Sequence, residues 1–156
     1  MKNRNDNDGG NVATTPAPIT RRKGSYRVAL ALSPAYYPFI KGCGPFEATI
    51  FGLLGQLCPD YTGGMWDYFA LSNGTWYMAP TEKCLFRVTD FDGRSHDMSG
   101  DGAGLAVTLY LVNHLSWKFR ADGQVAMMEA AAHHYHALRM YTYAHPDASA
   151  IWRVLD

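Results

Sequence analysis

The feature that most constrains the fold is a long segment, Ala103 to Phe119, that is apolar on nearly all of its sides. A surface helix carries one apolar stripe, whereas a helix that is apolar all round is buried. Ser99 precedes the segment as a predicted N-cap, and Asp101 lies in the first turn, where a negative charge suits the helix dipole. The sequence therefore predicts a buried central helix of about 20 residues, roughly 30 Å long.

A tight turn is predicted ahead of this helix, at Asn73 and Gly74. Two short segments rich in aromatic residues flank the turn, Met65–Ser72 and Thr75–Pro80. Asn-Gly between two strand-like segments is a strong hairpin signal, because a type I′ turn needs positive φ at both central positions. The sequence therefore predicts a β-hairpin with a type I′ turn.

The remaining elements predict the fold class. Cys84–Phe91 alternates well enough to be the third strand of an antiparallel meander, and residues 92–97 are predicted to be loop. Helical spacing of apolar residues predicts helices over Pro45–Leu57 and Gln124–Ala144, and a last short helix follows Pro146. A short antiparallel β-meander packed with about four helices, one of them central and buried, is an α+β domain.

The N-terminal part has a different composition. Residues 1–24 are polar with little to bury, which predicts a disordered basic and polar tail. Ser25–Leu32 is predicted to be a strand, and residues 33–45 are predicted to be a loop punctuated by Pro and Gly. Residues 25–156 are therefore predicted to form a single α+β domain, a size that supports one compact core.

Charge is unevenly distributed along a chain whose net charge is zero. Seven basic residues face two acidic residues up to Gly44, and seven basic face twelve acidic residues beyond it. The basic part contains Arg21, Arg22 and Lys23, which leaves DNA binding open as an alternative to a solvated tail. Duplex DNA carries one charge per ~1.7 Å, so imitating about ten base pairs needs on the order of 20 negative charges. The sequence therefore predicts that the protein is not a DNA mimic.

Composition also predicts the compartment. No segment reaches the ~20 apolar residues that span a bilayer, and the N-terminus lacks the apolar core of a secretory signal. Cys43, Cys58 and Cys84 are odd in number and form no CxxC pair, which favours neither a disulfide framework nor a zinc ribbon. The expectation is a cytoplasmic protein with three reduced thiols and no membrane contact.

Few residues are candidates for chemistry. His133 and His136 lie three apart in the segment HHYH and could share an ion, although no HExxH motif is present. A small hydrolase or nuclease that uses these histidines and a metal is therefore one alternative, and packed or solvated histidines are the other. The glycines of Ser99–Gly104 open the central helix, where a phosphate would bind, but they lack the P-loop spacing and its lysine, so N-capping and close packing explain them more simply. No nucleophile elbow is present, and no cofactor is expected.

Three segments together resemble a known family. The first is Pro59–Pro80, which reads PDYTGGMWDYFALSNGTWYMAP, the second is MSGDGAG at Met98–Gly104, and the third is Tyr135–Pro146. Through these motifs, the chain from about Phe39 to its C-terminus resembles the ArdB and KlcA family of plasmid antirestriction proteins.

The resemblance implies a small soluble α+β protein of mobile DNA that protects incoming plasmid DNA from host type I restriction-modification endonucleases. It implies no cofactor and no catalytic residue. The expected partner is the restriction complex or an associated host protein, and direct DNA binding is not expected. A purely structural role, such as turn or cap, is an open alternative for each candidate contact residue. These residues are Tyr61, Gly63, Gly64, Asn73, Gly74, Ser99 and Asp101.

Overall fold

The computed structural model describes residues 15–41 and 44–156. In this part of the chain, helices and antiparallel strands form an α+β domain, which confirms the predicted class. The helices are α1 (Tyr26–Leu32), α2 (Tyr37–Lys41), α3 (Gly44–Leu57), α4 (Gly100–Ala121), α5 (Val125–Thr142) and α6 (Ala148–Leu155), with a 3-10 turn at Pro34–Tyr36. The strands are β1 (Arg21–Gly24), β2 (Trp66–Leu71), β3 (Trp76–Pro80), β4 (Leu85–Thr89) and β5 (Ser95–Ser99).

The N-terminal predictions need correction. Residues 21–24, assigned to the tail, form β1 and pair with β2 from Arg21↔Leu71 to Gly24↔Tyr68. The segment predicted as a strand, Ser25–Leu32, contains α1, and the loop predicted after it contains a 3-10 turn and α2. Leu and Ala favour helix, and seven residues are too few for periodicity to separate helix from strand. Residues 1–14 of the predicted tail, and Gly42 and Cys43 of the predicted loop, lie outside the described residues.

The β2–β3 hairpin lies where it was predicted, but its turn is of another type. The Leu71 N–H donates to Thr75 O at 2.8 Å, and the Gly74 N–H donates to Leu71 O at 3.0 Å. These bonds close a three-residue loop, Ser72 to Gly74. Gly74 has a φ of 83°, and no described residue other than glycine has a positive φ. The predicted type I′ turn is therefore wrong, because the loop is a type I turn followed by a left-handed glycine.

The predicted third strand belongs to a second sheet. The segment Cys84–Phe91 contains β4, which pairs with β5 instead of β3, and residues 92–97, predicted as loop, contribute to β5. The three-stranded sheet has the order β1-β2-β3. Asp90 holds the β4–β5 turn, because its Oδ1 accepts from the N–H groups of Asp92 at 3.0 Å and Arg94 at 2.8 Å. The Asp-Gly pair in this turn was the sequence signal for a second hairpin.

Helix α4 is the buried centre of the domain, as predicted. It packs against the outer edge of β3 so closely that the helix touches the strand backbone. A Cβ atom at Gly104 would lie 2.3 Å from the Met78 carbonyl oxygen and 2.4 Å from the Ala79 Cα. Only glycine permits this approach, so Gly104 sets the distance between the helix and the sheet.

Side chains of α4 and α5 take the place of a fourth strand at the outer edge of β3. In an antiparallel pair, alternate residues turn their N–H and C=O groups away from the neighbouring strand. Thr75 and Thr81, at the two ends of β3, bond toward β2 through the Leu71 N–H and the Met65 carbonyl. The residues of β3 that face outward are therefore Trp76, Met78 and Pro80. Thr108 Oγ1 lies 3.4 Å from the Met78 nitrogen and 3.5 Å from its oxygen, and His134 Nε2 lies 2.6 Å from the Trp76 oxygen. Pro80 has no N–H, and α4 and α5 cover this edge where another strand would pair.

His134 is a neutral histidine buried in this contact. A carbonyl oxygen only accepts, so Nε2 carries the proton toward Trp76, and Nδ1 accepts from the Tyr36 hydroxyl. Burial lowers the pKa of His134 to about 4, and the bond to Trp76 offsets only part of this effect. His134 therefore packs in the core, unlike its exposed neighbours His133 and His136.

Two findings bear on the expectations about compartment. Cys58 is buried and Cys84 exposed, and both are free thiols, while Cys43 lies outside the described residues. Burial raises the pKa of the Cys58 thiol. Among residues 15–41 and 44–156, no helix combines the length and the apolar character needed to cross a membrane.

The substitution Gly104→Ala is expected to destabilise the protein by roughly 1–3 kcal/mol or more, because the added methyl group meets backbone atoms that cannot rotate away. Urea unfolding followed by tryptophan fluorescence measures the change. Gly55→Ala in α3 is the matched control, since nothing lies within 4 Å of a Cβ atom there. It should stabilise the protein by about 0.5–1 kcal/mol. Equal effects of the two substitutions would contradict the close contact.

The stability of the protein should fall as the pH falls from about 6.5 to about 4. The unfolded chain protonates His134 near the ordinary pKa of 6.5, whereas the folded chain resists protonation until about 4. The unfolded state thus binds more protons in this range, which costs on the order of 3 kcal/mol in total. Unfolding free energies of wild type and His134→Gln across this range test the effect.

In His134→Gln this part of the pH dependence should disappear, although the variant is less stable at pH 7. His133→Gln removes the exposed neighbouring histidine and should keep the wild-type dependence. A His134→Gln profile parallel to that of the wild type would show that His134 titrates normally.

Candidate functional site

A network of polar side chains lies at the start of α4. Ser99 is the N-cap, as predicted, with extended backbone and an Oγ that accepts from the Gly102 N–H at 3.1 Å. The same hydroxyl donates to Asp147 Oδ2 at 2.5 Å, and the Ser99 N–H donates to that oxygen at 3.1 Å. Asp147 therefore holds the first turn of α4 to the segment that precedes α6.

Asp101 is the centre of the network. Its Oδ1 accepts from the Tyr77 hydroxyl at 2.8 Å and from the Arg21 guanidinium, and Arg21 also donates to the Tyr77 oxygen at 2.7 Å. Its Oδ2 lies 2.9 Å from His145 Nε2. Because His145 Nδ1 accepts from the Asp147 N–H at 3.0 Å, the proton of the ring is on Nε2 and points to Asp101. Asp101 thus joins β1, β3, α4 and the segment before α6.

The surroundings of Asp101 keep it ionised. Burial by itself raises the pKa of this carboxyl, but the hydrogen bonds from His145 and Tyr77 and the charge of Arg21 lower it below its ordinary value. Burial, together with the negative charge of Asp101, raises the pKa of the Tyr77 hydroxyl. At neutral pH the network therefore contains a carboxylate and a neutral phenol.

The network does not have the geometry of a nucleophilic triad. In a Ser-His-Asp triad the histidine takes the proton of the serine hydroxyl. Here the Ser99 hydroxyl donates to Asp147, and His145 is directed to Asp101. What the arrangement does is fix four elements relative to one another and hold a negative charge near the first turn of α4, where the helix dipole favours it.

A surface cleft of about 570 Å³ opens beside the network, and we call it the α4 entrance cleft. The loop of residues 81–84 forms one wall, and Ser99 and Asp101 lie at the cleft as well. A smaller cleft of about 190 Å³ lies on the other side of the same loop and is lined by Tyr61 and Gly63. The α4 entrance cleft is lined by Arg21, Asp67, Phe69, Ala79, Pro80, Thr81, Glu82, Lys83, Cys84, Leu85, Ser99, Gly100 and Asp101.

The predicted contact residues fall into two groups. Five of them surround the loop of residues 81–84, since a Cβ atom at Gly64 would touch the Glu82 carboxylate and the others line the two clefts. The other two lie at the tip of the β2–β3 hairpin, at the opposite end from this loop. There Asn73 Nδ2 donates to the Ala137 carbonyl of α5 at 2.7 Å, and Gly74 supplies the turn. The hairpin tip is therefore fastened to α5.

Sequence reasoning missed four members of the network: Arg21, Tyr77, His145 and Asp147. Arg21 was assigned to the tail, and His145 was placed in a family motif ahead of the last helix, with no contact to Asp101 predicted. The signal that was present is the placement of His145 inside a family motif. Its contact with Asp101 spans 44 residues of sequence, a distance at which spacing carries no information.

The predicted histidine pair does not converge with other ligands. Among residues 15–41 and 44–156, no group of three or more His, Cys, Asp or Glu side chains could hold a metal ion. His133 and His136 both lie exposed on α5, and His136 lines a shallow groove with Trp117 and Arg120.

The fold and the site define a class: a small α+β domain in which a buried helix presents its capped N-terminus to a surface cleft. Residues 59–156 match the family model described as "Antirestriction protein", and the chain belongs to this family. The resemblance inferred from the three motifs is thereby confirmed.

Two relatives and one solved structure show the extent of the similarity. The antirestriction protein KlcA of Escherichia coli is 34% identical over 143 residues, which cover 90% of this chain and 96% of KlcA. The YafX protein of E. coli K12 is 30% identical over 148 residues, covering 93% of this chain and 88% of YafX. A structure from the KlcA and ArdB proteins superposes with a TM-score of 0.74 at 32% identity, covering 92% of this chain and 99% of the other.

Replacing the central carboxylate by Asp101→Asn should destabilise the protein by roughly 1.5–3 kcal/mol at pH 7, because charged hydrogen bonds are lost. The wild-type pKa lies below the ordinary 3.8, so the contribution is present at neutral pH and is lost as the pH falls below about 4. The gap between wild type and variant in unfolding free energy should therefore narrow in acid.

Asp97→Asn is the matched control for this measurement, since Asp97 forms an exposed ion pair with Arg87. An exposed pair contributes roughly 0–1 kcal/mol, so this variant should stay close to the wild type. A stability of Asp101→Asn equal to that of Asp97→Asn would show that the network contributes no more than a surface pair.

Proposed function

We propose that this protein protects incoming DNA by inhibiting host type I restriction-modification endonucleases, through contact with a protein and without catalysis. The observation that carries the proposal is the similarity to the KlcA and ArdB proteins over 92% of the chain. Those proteins show antirestriction activity against type I DNA restriction systems in vivo but not in vitro. A fold shared over nearly the whole chain, at 32% sequence identity, supports the same activity here.

The distribution of charge supports a mechanism other than DNA mimicry. A mimic of about ten base pairs needs on the order of 20 negative charges displayed to its partner. The net charge of the chain is zero, and half of the acidic residues in 15–41 and 44–156 form an ion pair with a neighbouring Lys or Arg. The acidic residues that pair with Lys or Arg are Asp67, Asp90, Asp92, Asp97, Asp101 and Asp122.

Contact with a protein partner fits the site better than chemistry does. The Ser99 hydroxyl caps the Gly102 N–H and donates to the Asp147 carboxylate, whereas His145, which a Ser-His-Asp mechanism would place at this hydroxyl, is directed to Asp101. Activity in cells that is not reproduced in vitro, as for KlcA and ArdB, favours a partner that purified assays lack or present in another state. The partner we propose is the restriction complex or a host protein associated with it, and the contact surface we propose is the α4 entrance cleft.

Neither alternative function gains support from the described residues. Direct DNA binding would use Arg21, Arg22 and Lys23, but Arg21 is paired with Asp101 and Lys23 with Asp67 at 2.8 Å. The metal-dependent hydrolase would need a third ligand beside the histidines of α5, and the described residues place none there.

Expression of this protein should raise the plating efficiency of unmodified phage on a type I restricting host toward the value on a non-restricting host. Lys83→Glu reverses a charge on the exposed wall of the α4 entrance cleft and should lower this protection roughly tenfold or more, the effect of about 1.4 kcal/mol at a binding surface. His136→Ala, on the exposed face of α5, should protect like the wild type.

Three results would contradict these expectations. No rise with the wild-type protein would sink the proposed function. Loss of protection in His136→Ala alone would favour the metal-dependent alternative. Competition with DNA for the purified endonuclease, weakening steeply as salt rises, would revive DNA mimicry.

A further inference from the structure

The three-stranded sheet has one edge that helices cover and one open edge. The outer edge of β3 is covered by Thr108 and His134. At the other side of the sheet, β1 is an exposed strand, and no other strand of the described residues pairs with it beyond β2. The Ser72 N–H donates to Thr20 O at 2.9 Å, so the alternation of bonds turns the N–H and C=O groups of Arg21 and Lys23 outward.

The basic side chains around this open edge are either paired with acidic residues or unpaired. The side chains of Arg21 and Lys23 are already paired with acidic residues of the domain. Arg22 of β1 and Arg27 of α1 are exposed and form no ion pair with any residue in 15–41 or 44–156. Two cations that lack an acidic partner in the described structure therefore flank a strand edge to which no further strand of that structure is paired.

A cleft of about 560 Å³ adjoins the start of β1. Arg22 and Arg27 lie at this cleft, and its remaining lining is mostly apolar. A strand added to a sheet edge gains main-chain hydrogen bonds, and side-chain pockets beside the edge supply specificity. The apolar lining consists of Val28, Ala31, Leu32, Ala70 and Leu71.

We propose that the open edge of β1 binds an extended acidic segment of a protein partner, which adds to the sheet as a fourth strand. A carboxylate of this segment pairs with Arg22 and Arg27, and an apolar side chain enters the adjoining cleft. The inference rests on the proposed function, since it names the kind of segment by which the antirestriction partner is held.

Other occupants fit the edge less well. A second copy of the chain would bring Arg22 against another basic edge, and like charges on a sheet edge oppose pairing. Duplex DNA is bound by neutralising several phosphates, whereas Arg22 and Arg27 are the only unpaired basic residues that the described part of the chain places at this edge. Outward N–H and C=O groups at strand spacing match a polypeptide backbone instead.

The probe is a fluorescein-labelled peptide of about eight residues that alternates Glu and Val, titrated with the full chain and followed by anisotropy. Two further peptides separate the contributions: one is N-methylated at alternate residues, and the other has Lys in place of Glu. Both should bind at least tenfold more weakly than the acidic peptide. In two-dimensional NMR spectra, the acidic peptide should shift the amide signals of Arg21 and Lys23.

Matched variants test the edge itself. Lys23→Pro removes an outward N–H that makes no bond to β2, whereas Lys23→Ala keeps it. Both lose the ion pair with Asp67, so the proline variant should bind the acidic peptide at least tenfold more weakly than the alanine variant. Arg22→Glu combined with Arg27→Glu should abolish binding, and Arg153→Glu, an exposed arginine of α6, should bind like the wild type. Circular dichroism confirms that each variant is folded.

Equal binding of the N-methylated peptide, amide shifts remote from β1, or tighter binding of a duplex oligonucleotide at this edge would overturn the inference. So would self-association of the wild type through β1. Plating assays separate the two proposals. If the wild type protects and Lys23→Pro protects equally well, the proposed function stands and the inference fails. If the wild type binds the acidic peptide through β1 but gives no protection, the strand addition stands and the proposed function fails.

Discussion

The contact between α4 and the outer edge of β3 is the interaction on which the rest of the structure depends. Gly104 lets the helix lie against the strand backbone, and Thr108 and His134 bond to groups that would otherwise need another strand. Because the helix cannot shift without a clash or an unpaired buried group, its N-terminus has one position relative to the sheet. That position places Ser99 and Asp101 at the α4 entrance cleft.

The polar network extends this constraint to the ends of the chain. Asp101 bonds to Arg21 of β1 and to His145 ahead of α6, so the N-terminal strand and the C-terminal helix meet at one carboxylate. The Arg21 guanidinium balances the charge of Asp101, and the hydrogen bonds around this carboxylate fix the polar groups beside it. A cleft bordered by polar groups that hydrogen bonds hold in place is suited to recognising a protein, which is the role we propose, and the open edge of β1 offers a second contact on the same sheet.

Local patterns predicted the parts of the fold that depend on local physics. The all-round apolar segment gave the buried helix, and Ser99 gave its cap. The sequence could not reveal that Arg21 pairs across the chain with Asp101, 80 residues away, or that β4 leaves the first sheet to pair with β5. Both the Arg21–Asp101 pair and the β4–β5 pairing depend on how the folded chain packs around the buried helix, which local sequence patterns do not encode. Asn73 lies at the turn, as predicted. Because the loop has three residues instead of two, only Gly74 needs a positive φ, and the Asn73 side chain bonds to α5.

The central claim is that the protein blocks restriction by occupying a partner, without turnover. Protection of unmodified phage should therefore be measured against protein copy number, with expression varied by an inducible promoter and both the protein and the restriction complex quantified in the same cells. An inhibitor that acts by contact should give half of its maximal protection only when its copies are comparable with or exceed those of the restriction complex. Full protection at a small fraction of that number would contradict the claim and indicate catalysis.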